Sequence, residues 1–369
     1  MEMVCRACGG NAGGTVLDLG EQPACDYFPP RGTPGPDPVY PLQMWLCYSC
    51  GLAQLMNDPT MPEEPKAAEP AALVAQAADA VRRVGAAGWL PPGTTVIEYG
   101  SPHGGSWLGL LADRGLVTTD GQTQADIVLD CFGLMHRADQ QAALAERASR
   151  VSDGGVMLLQ YHSLATIIQH GQWNALRHGH FAYYSAPALV RMLAGVGFTP
   201  CAAWRFELYQ GTFLLAAARA GRGRDGSVDA LLAEESELGV QDPAVVMGLQ
   251  EDASRSAAAL RHWLSRQRAM GRTVLGYSAA SRAVALLCSA GVDADLLPAV
   301  ADASAAKQGC RMPGTDIPVI SPAELLDFRP DAVVVFLTDL VDELRAAMPE
   351  VEAEGGAWVT MDHLVGSPR

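Results

Sequence analysis

Lysine is almost missing from this chain. Of 26 basic residues in 369, only Lys66 and Lys307 are lysines. With so much alanine and glycine that bias is compositional, and it carries little functional weight. Long apolar runs are also missing: no stretch reaches the roughly 20 residues needed to span a bilayer. The N-terminus, "MEMVCRACGG", has neither the basic n-region nor the apolar h-region of a secretion signal. A cytoplasmic protein with no membrane partner is expected. Positive charge is scarce as well. With 41 acidic residues the formal net charge is −15, which argues against a nucleic-acid partner. A small anionic ligand stays open, because it needs only a local cluster of donors.

Hydrophobic content of 49% and charged content of 18% belong to a soluble globular protein, and the length allows two or three domains. Nine cysteines in a reducing compartment point to metal binding or buried thiols before disulfides. Cys5 and Cys8 form "CRAC", Cys47 and Cys50 form "CYSC", and a glycine follows each knuckle. Two such knuckles complete a closed tetrahedral thiolate shell, so a structural zinc is predicted. Cys25, Cys131, Cys201, Cys288 and Cys310 are scattered and read as small buried residues.

Three domains are expected, all within an α/β fold. Residues 1–58 form a small N-terminal four-cysteine zinc module. Residues 59–224 open with the acidic, Ala-rich linker "EEPKAAEP" and continue into "TTVIEYGSPHGGSWLGLLADRG". There a β-branched strand meets a glycine turn and then a helix, the first unit of a doubly wound Rossmann domain. Residues 225–369 begin with a long helical segment and repeat the strand–glycine–helix pattern at "RTVLGYSAASRAVALL", giving a second Rossmann-like domain.

Taken in order, "CRACGG…VLDLGEQPACDYF", "VIEYGS", "ADIVLDCFGLMHRAD", "RHGHFAYYS", "GYSAASRA" and "DASAAKQGCRMPGTDIPVISP" resemble the SAM-dependent C-methyltransferases of deoxysugar antibiotic pathways. Those enzymes methylate carbon 3 of a TDP-4-keto-deoxysugar. The resemblance implies a small-molecule substrate, a nucleotide sugar among the candidates. It makes "RHGHFAYYS" an acid/base pocket motif rather than a metal site. It also implies catalytic roles for His180, His136 and His178, and a pocket position for His162. A carbon beside a ketone is a weak acid, and an imidazole can remove its proton once the enolate has donors. Glu98, Gly100, Ser101 and Gly104 take the family's cofactor loop, and Asp120 the ribose position. Gly211, Thr212, Arg282 and Lys307 match its substrate-side motifs. His103 and His170 read as incidental.

Departures from the family pattern keep other readings open. Its tyrosine is Arg177 and its glutamate Gly179, which turns the pocket towards an anion or an oxyanion. Between Gly115 and Ala125 only nine residues stand where the family fits a second strand, a helix and a third strand. "GLVTTD" can supply the second strand and carry Asp120, but no room is left for the helix and strand after it that wall adenine. The central domain is therefore a truncated SAM-methyltransferase-like Rossmann domain, and that spacing puts SAM binding in question. A SAM-independent epimerase, isomerase or eliminase, and a non-catalytic partner subunit in a biosynthetic complex, stand as alternatives.

Overall fold

The computed structural model describes residues 3–366 apart from 34, 61–68, 70, 120, 122, 220 and 221. Its strands form three sheets. The first contains β1 (Gly13–Pro23), β2 (Val39–Cys47) and β3 (Ala53–Leu55), paired antiparallel. The second is built from β4 (Thr95–Gly100), β5 (Val117–Thr118), β6 (Ala125–Cys131) and β7 (Val151–His162), followed by β9 (Thr199–Phe206) and β10 (Thr212–Ala218). Between them in sequence, β8 (Ala182–Tyr183) leaves its own domain. It pairs with β3, Ala53 opposite Tyr183 and Gln54 opposite Ala182, and so completes the first sheet.

The second sheet has the order β5-β4-β6-β7-β10-β9, parallel through β7, with β10 antiparallel to both of its neighbours. The two-residue β5 is its edge. Among the described residues no strand lies beyond β5, as the short spacing from 115 to 125 predicts. β6 is buried along nearly its whole length, which is what a strand covered by helices on both faces requires. The third sheet is fully parallel: β11 (Val274–Tyr277), β12 (Val300–Ala301), β13 (Val319–Ile320), β14 (Ala332–Val335) and β15 (Ala357–Thr360), in the order β13-β12-β11-β14-β15. The mixed α/β class, with a zinc module and two Rossmann-like sheets, is as predicted.

The four-stranded sheet is the middle layer, and strand periodicity explains how. Side chains alternate across a strand. On β2, Met44 and Leu46 enter one core with Val246, Leu249, Leu260 and Leu264 of the helix Pro243–Ala269. Trp45 and Cys47 enter the opposite core, with Tyr161, Tyr184 and Phe213 of the second sheet's domain. β8 alternates in the same way, Tyr183 to the first core and Ala182 to the second. That helix is 27 residues long. Asp242 caps it, Pro243 opens it, and its buried residues 246, 249, 253, 257, 260 and 264 keep helical spacing. Among the described residues, no helix is long and apolar enough to cross a membrane.

Candidate active site

Each Rossmann-like sheet reverses its chain order beside its first strand, β4 in one and β11 in the other. Ligands of such sheets bind at the carboxyl ends of the strands next to that reversal. Here the two reversals face each other. Ser101 and Gly104 from the loop after β4, Ser278 from the loop after β11, and Ser281 and Arg282 from the start of the helix that follows it line one interdomain cleft. His103, His136, His162, Arg177, His180, Tyr209 and Lys307 line it too.

The turn carrying His136 is held from below. Asp130, at the end of β6, accepts from the Leu134 N–H (3.0 Å) and from Arg147 Nε (2.5 Å), in an ion pair both of whose side chains are buried. Gly133 must be glycine, since a Cβ there would lie 2.8 Å from the Tyr99 carbonyl oxygen. His136 Nδ1 donates to the Gly179 carbonyl at 3.0 Å, leaving Nε2 free to accept, with Ser101 Oγ at 3.5 Å.

The stretch from Arg177 to His180 is a reverse turn. Gly179 sits at φ +82, in the left-handed region that favours glycine, and its N–H donates to Asp58 at 2.6 Å. The turn sends the two histidines in opposite directions. His180 enters the cleft wall, where Arg177 Nε donates to its Nε2 at 2.8 Å. His178 turns away, with Nε2 on the Pro41 carbonyl at 3.2 Å and its ring edge-on to Tyr40. The expectation of a catalytic His178 is corrected: it ties the turn to β2. His103, which sequence alone treats as incidental, stands 5.2 Å from His136 and 5.9 Å from His180 between ring centroids. The only linear signal for it was its place in the glycine loop. His170 stays outside this cleft and lines a neighbouring one.

Burial and neighbouring cations keep these rings neutral. The pKa values of His103 and His136 are lowered to about 3, chiefly by burial, then by His103 and Arg177 beside His136 and by Arg177 beside His103. His180 is pushed well below the imidazole range by burial and Arg177, and His162 by burial and Arg282. Arg282 lies 3.3 Å from His162 Nδ1 and over the Tyr209 ring. Burial and Arg177 lower its own pKa to about 10. Lys307 spends its charge on the Ala279 carbonyl (2.7 Å) and Asp302 (3.7 Å). Arg177 and Arg282 make no ion pair among the described residues, so the cleft holds two guanidinium groups with no carboxylate partner.

Four other expected ligands lie off the cleft. Glu98 accepts from Trp107 N–H (2.7 Å) and Ser106 Oγ (2.5 Å), so its carboxylate braces the glycine loop. Thr212 is buried and donates to the Leu208 carbonyl at 2.9 Å. The close approach at Gly211 is to Thr166, whose Oγ1 would lie 2.3 Å from a Cβ there, and not to a ligand. Gly100 ends β4 without lining the cleft, and Asp120 lies outside the described residues.

Cys5, Cys8, Cys47 and Cys50 converge as the knuckle spacing predicts, with all four sulfur atoms within 4.8 Å of one another. Cys5 and Cys50 are 3.5 Å apart, Cys8 and Cys47 3.6 Å. Four thiolates about 2.3 Å from one zinc would sit about 3.8 Å apart, so the donor set fits. The Cys50 thiol hydrogen-bonds to Cys5 and lowers its pKa to about 5, while Cys50 is pushed up in return.

Three family models match this chain in sequence order. A zinc binding domain matches residues 5–63, a methyltransferase domain residues 71–202, and a C-methyltransferase C-terminal domain residues 209–361. The chain is also 22% identical to the C-methyltransferase NovU of Streptomyces niveus, over 96% of this chain and 94% of that protein. This chain belongs to the C-methyltransferase family. The stretch matched by the zinc binding domain, residues 5–63, contains all four cysteines of the shell. The methyltransferase match runs through the shortened stretch at 115–125, so the lost strand does not remove that domain from the methyltransferases. Among solved structures, the magnesium protoporphyrin IX methyltransferase of Synechocystis with bound SAH shares 14% identity. It covers 44% of this C-methyltransferase-family chain and 90% of its own, at a TM-score of 0.31. The 1,6-didemethyltoxoflavin-N1-methyltransferase of Burkholderia thailandensis also shares 14%, covering 47% and 96% at 0.28. Overlaps this partial say nothing about the ligands of this chain.

Proposed function

We propose that this protein transfers a methyl group from SAM to a carbon beside a ketone in an anionic small molecule, a nucleotide sugar being the leading class. One observation carries the reading: the glycine loop after β4, the imidazoles and the two unpaired guanidinium groups share one cleft. SAM would supply the methyl group from the side of Ser101 and Gly104. Arg282 suits the substrate's negative charge, and Arg177 an oxygen that becomes an enolate. An imidazole held far below neutrality is a poor base. An anion that neutralises Arg177 and Arg282 would raise the pKa of His180 and His136 towards the working range, so the substrate itself prepares the proton acceptor.

Calorimetric titration of the zinc-replete protein with SAM and S-adenosylhomocysteine tests the cofactor. Micromolar binding is expected, and its absence would sink methyl transfer by this chain alone. His180→Ala should abolish turnover of keto substrates while the fold and zinc content persist; full activity in that variant would remove His180 from the chemistry.

A second reading, proton transfer without SAM, draws support from Glu69. Its carboxylate accepts the Gly105 N–H at 2.7 Å, in the loop where the acid end of SAM would look for donors. Solvent deuterium entering a keto substrate in the absence of SAM would favour this second reading. A partner subunit that completes the short cofactor wall would instead restore SAM binding when added.

A further inference from the structure

His103, His136 and His180 come from three segments held independently: the glycine loop, the turn after β6 and the reverse turn before β8. Their ring centroids stand 4.6, 5.2 and 5.9 Å apart, and one nitrogen from each lies within 4.8 Å of the other two. Three imidazoles about 2.1 Å from one tetrahedral ion would put their centroids about 5 Å apart. The observed spacing brackets that value. His136 is already oriented as a ligand, because Nδ1 is committed to the Gly179 carbonyl and Nε2 keeps its lone pair. That arrangement around a metal-binding histidine fixes both tautomer and ring direction. The lowered pKa values leave the rings unprotonated at neutral pH.

The geometry points to a second metal centre, in which His103, His136 and His180 hold one divalent cation of the zinc, cobalt or nickel type. Imidazole donors suit those ions, and a set of three protein ligands leaves the fourth position open. That position faces the cleft, and its occupant is an oxygen of an anionic ligand. Electrostatics require the negative charge: Arg177 donates to His180 Nε2 at 2.8 Å, so an incoming ion must displace that bond and then share the space with a guanidinium. Arg282 adds positive charge on the cleft side. On the far side of the rings a second cavity is lined by Asp26, Asp58 and Thr60, which supplies compensating charge and a way in for the ion. This centre goes beyond the methyl-transfer reading and does not rest on it, since the ion would bind whether or not SAM does. With the ion seated His136 and His180 are ligands, so the proton-acceptor role given to them in the methyl-transfer reading belongs to the ion-free form.

The test is titration of the full-length, zinc-replete protein with cobalt(II), following visible absorption and counting metals after dialysis. One zinc should remain in the thiolate shell, and one cobalt should bind with a tetrahedral spectrum lacking thiolate charge transfer. His103→Ala, and His136→Gln as a second variant, should each weaken cobalt binding by more than about tenfold with the zinc retained. Arg177→Gln should tighten it by freeing His180. No absorption, absorption from thiolate-bound cobalt alone, or cobalt affinity unchanged in both histidine variants overturns the proposal. SAM titration of the same samples reads methyl-donor binding separately, so one reading can fail while the other stands.

Discussion

The four thiols and the three imidazoles lie at the two ends of one piece of sheet. Cys47 ends β2, the knuckle turns into β3, β3 pairs with β8, and His180 lies two residues before β8. The clusters are otherwise opposites. The thiols are all anionic donors when they hold zinc, they fill a tetrahedron, and they leave nothing open. The imidazoles are neutral, number three, and stand beside unpaired guanidinium groups with one side facing the cleft. A closed shell of like donors stabilises a fold; an open set among cations is suited to binding and chemistry. The difference also shows why the zinc matters for a reaction it cannot touch. The sheet that it anchors receives the strand that places His180.

Breaking the closed cluster should have the largest effect. Cys47→Ser, or chelation with verified zinc loss, should unfold the N-terminal sheet, since structural zinc contributes on the order of 10 kcal/mol in small domains. The β3–β8 pairing should go with it, so cleft binding is lost together with the thermal transition. Unchanged melting after verified metal loss would show that the sheet does not depend on its zinc.

Acid should then separate the two clusters. The unfolded chain takes up protons on its histidines below about pH 6.5, whereas folded His103 and His136 resist until about 3. The unfolded state therefore binds more protons across that window, and stability falls as pH drops through it, by up to about 1.4 kcal/mol per pH unit for each ring. Chemical denaturation at pH 7, 6 and 5 should show a shallower decline in His136→Gln. An identical slope in variant and parent would mean that the ring is not held neutral.

The smallest effect sharpens the comparison between neighbours. His178→Gln removes a hydrogen bond to Pro41 and an edge contact with Tyr40, and should cost about 1 kcal/mol while leaving cleft ligand binding intact. Loss of binding there, with stability preserved, would return His178 to the cleft.

Local patterns carried much of this to the reader of the sequence. Two C-x-x-C knuckles need only a chain flexible enough to bring them together, so zinc was legible. The strand–glycine–helix units at 95 and 274 announce their sheets by periodicity, and the short interval from 115 to 125, set against the spacing that the resemblance implies, shows a missing strand. His180, His136, Arg177 and Arg282 could be placed in one pocket through the resemblance. His103 could not, because a histidine in a turn has no periodic signature. Nor could the roles of Glu98, Thr212 and Gly211, whose partners are neighbours in space that close them off from the cleft.

The sequence by itself determined the composition of the zinc shell and the two Rossmann-like sheets, because short-range spacing and alternation encode them. Only the tertiary structure decided which histidines meet. One left-handed glycine sends His178 and His180 to opposite sides, and a two-residue strand crossing into another domain's sheet sets where both stand. Side-chain direction after such a turn depends on φ at Gly179 and on pairing partners more than a hundred residues away, and no local pattern records either.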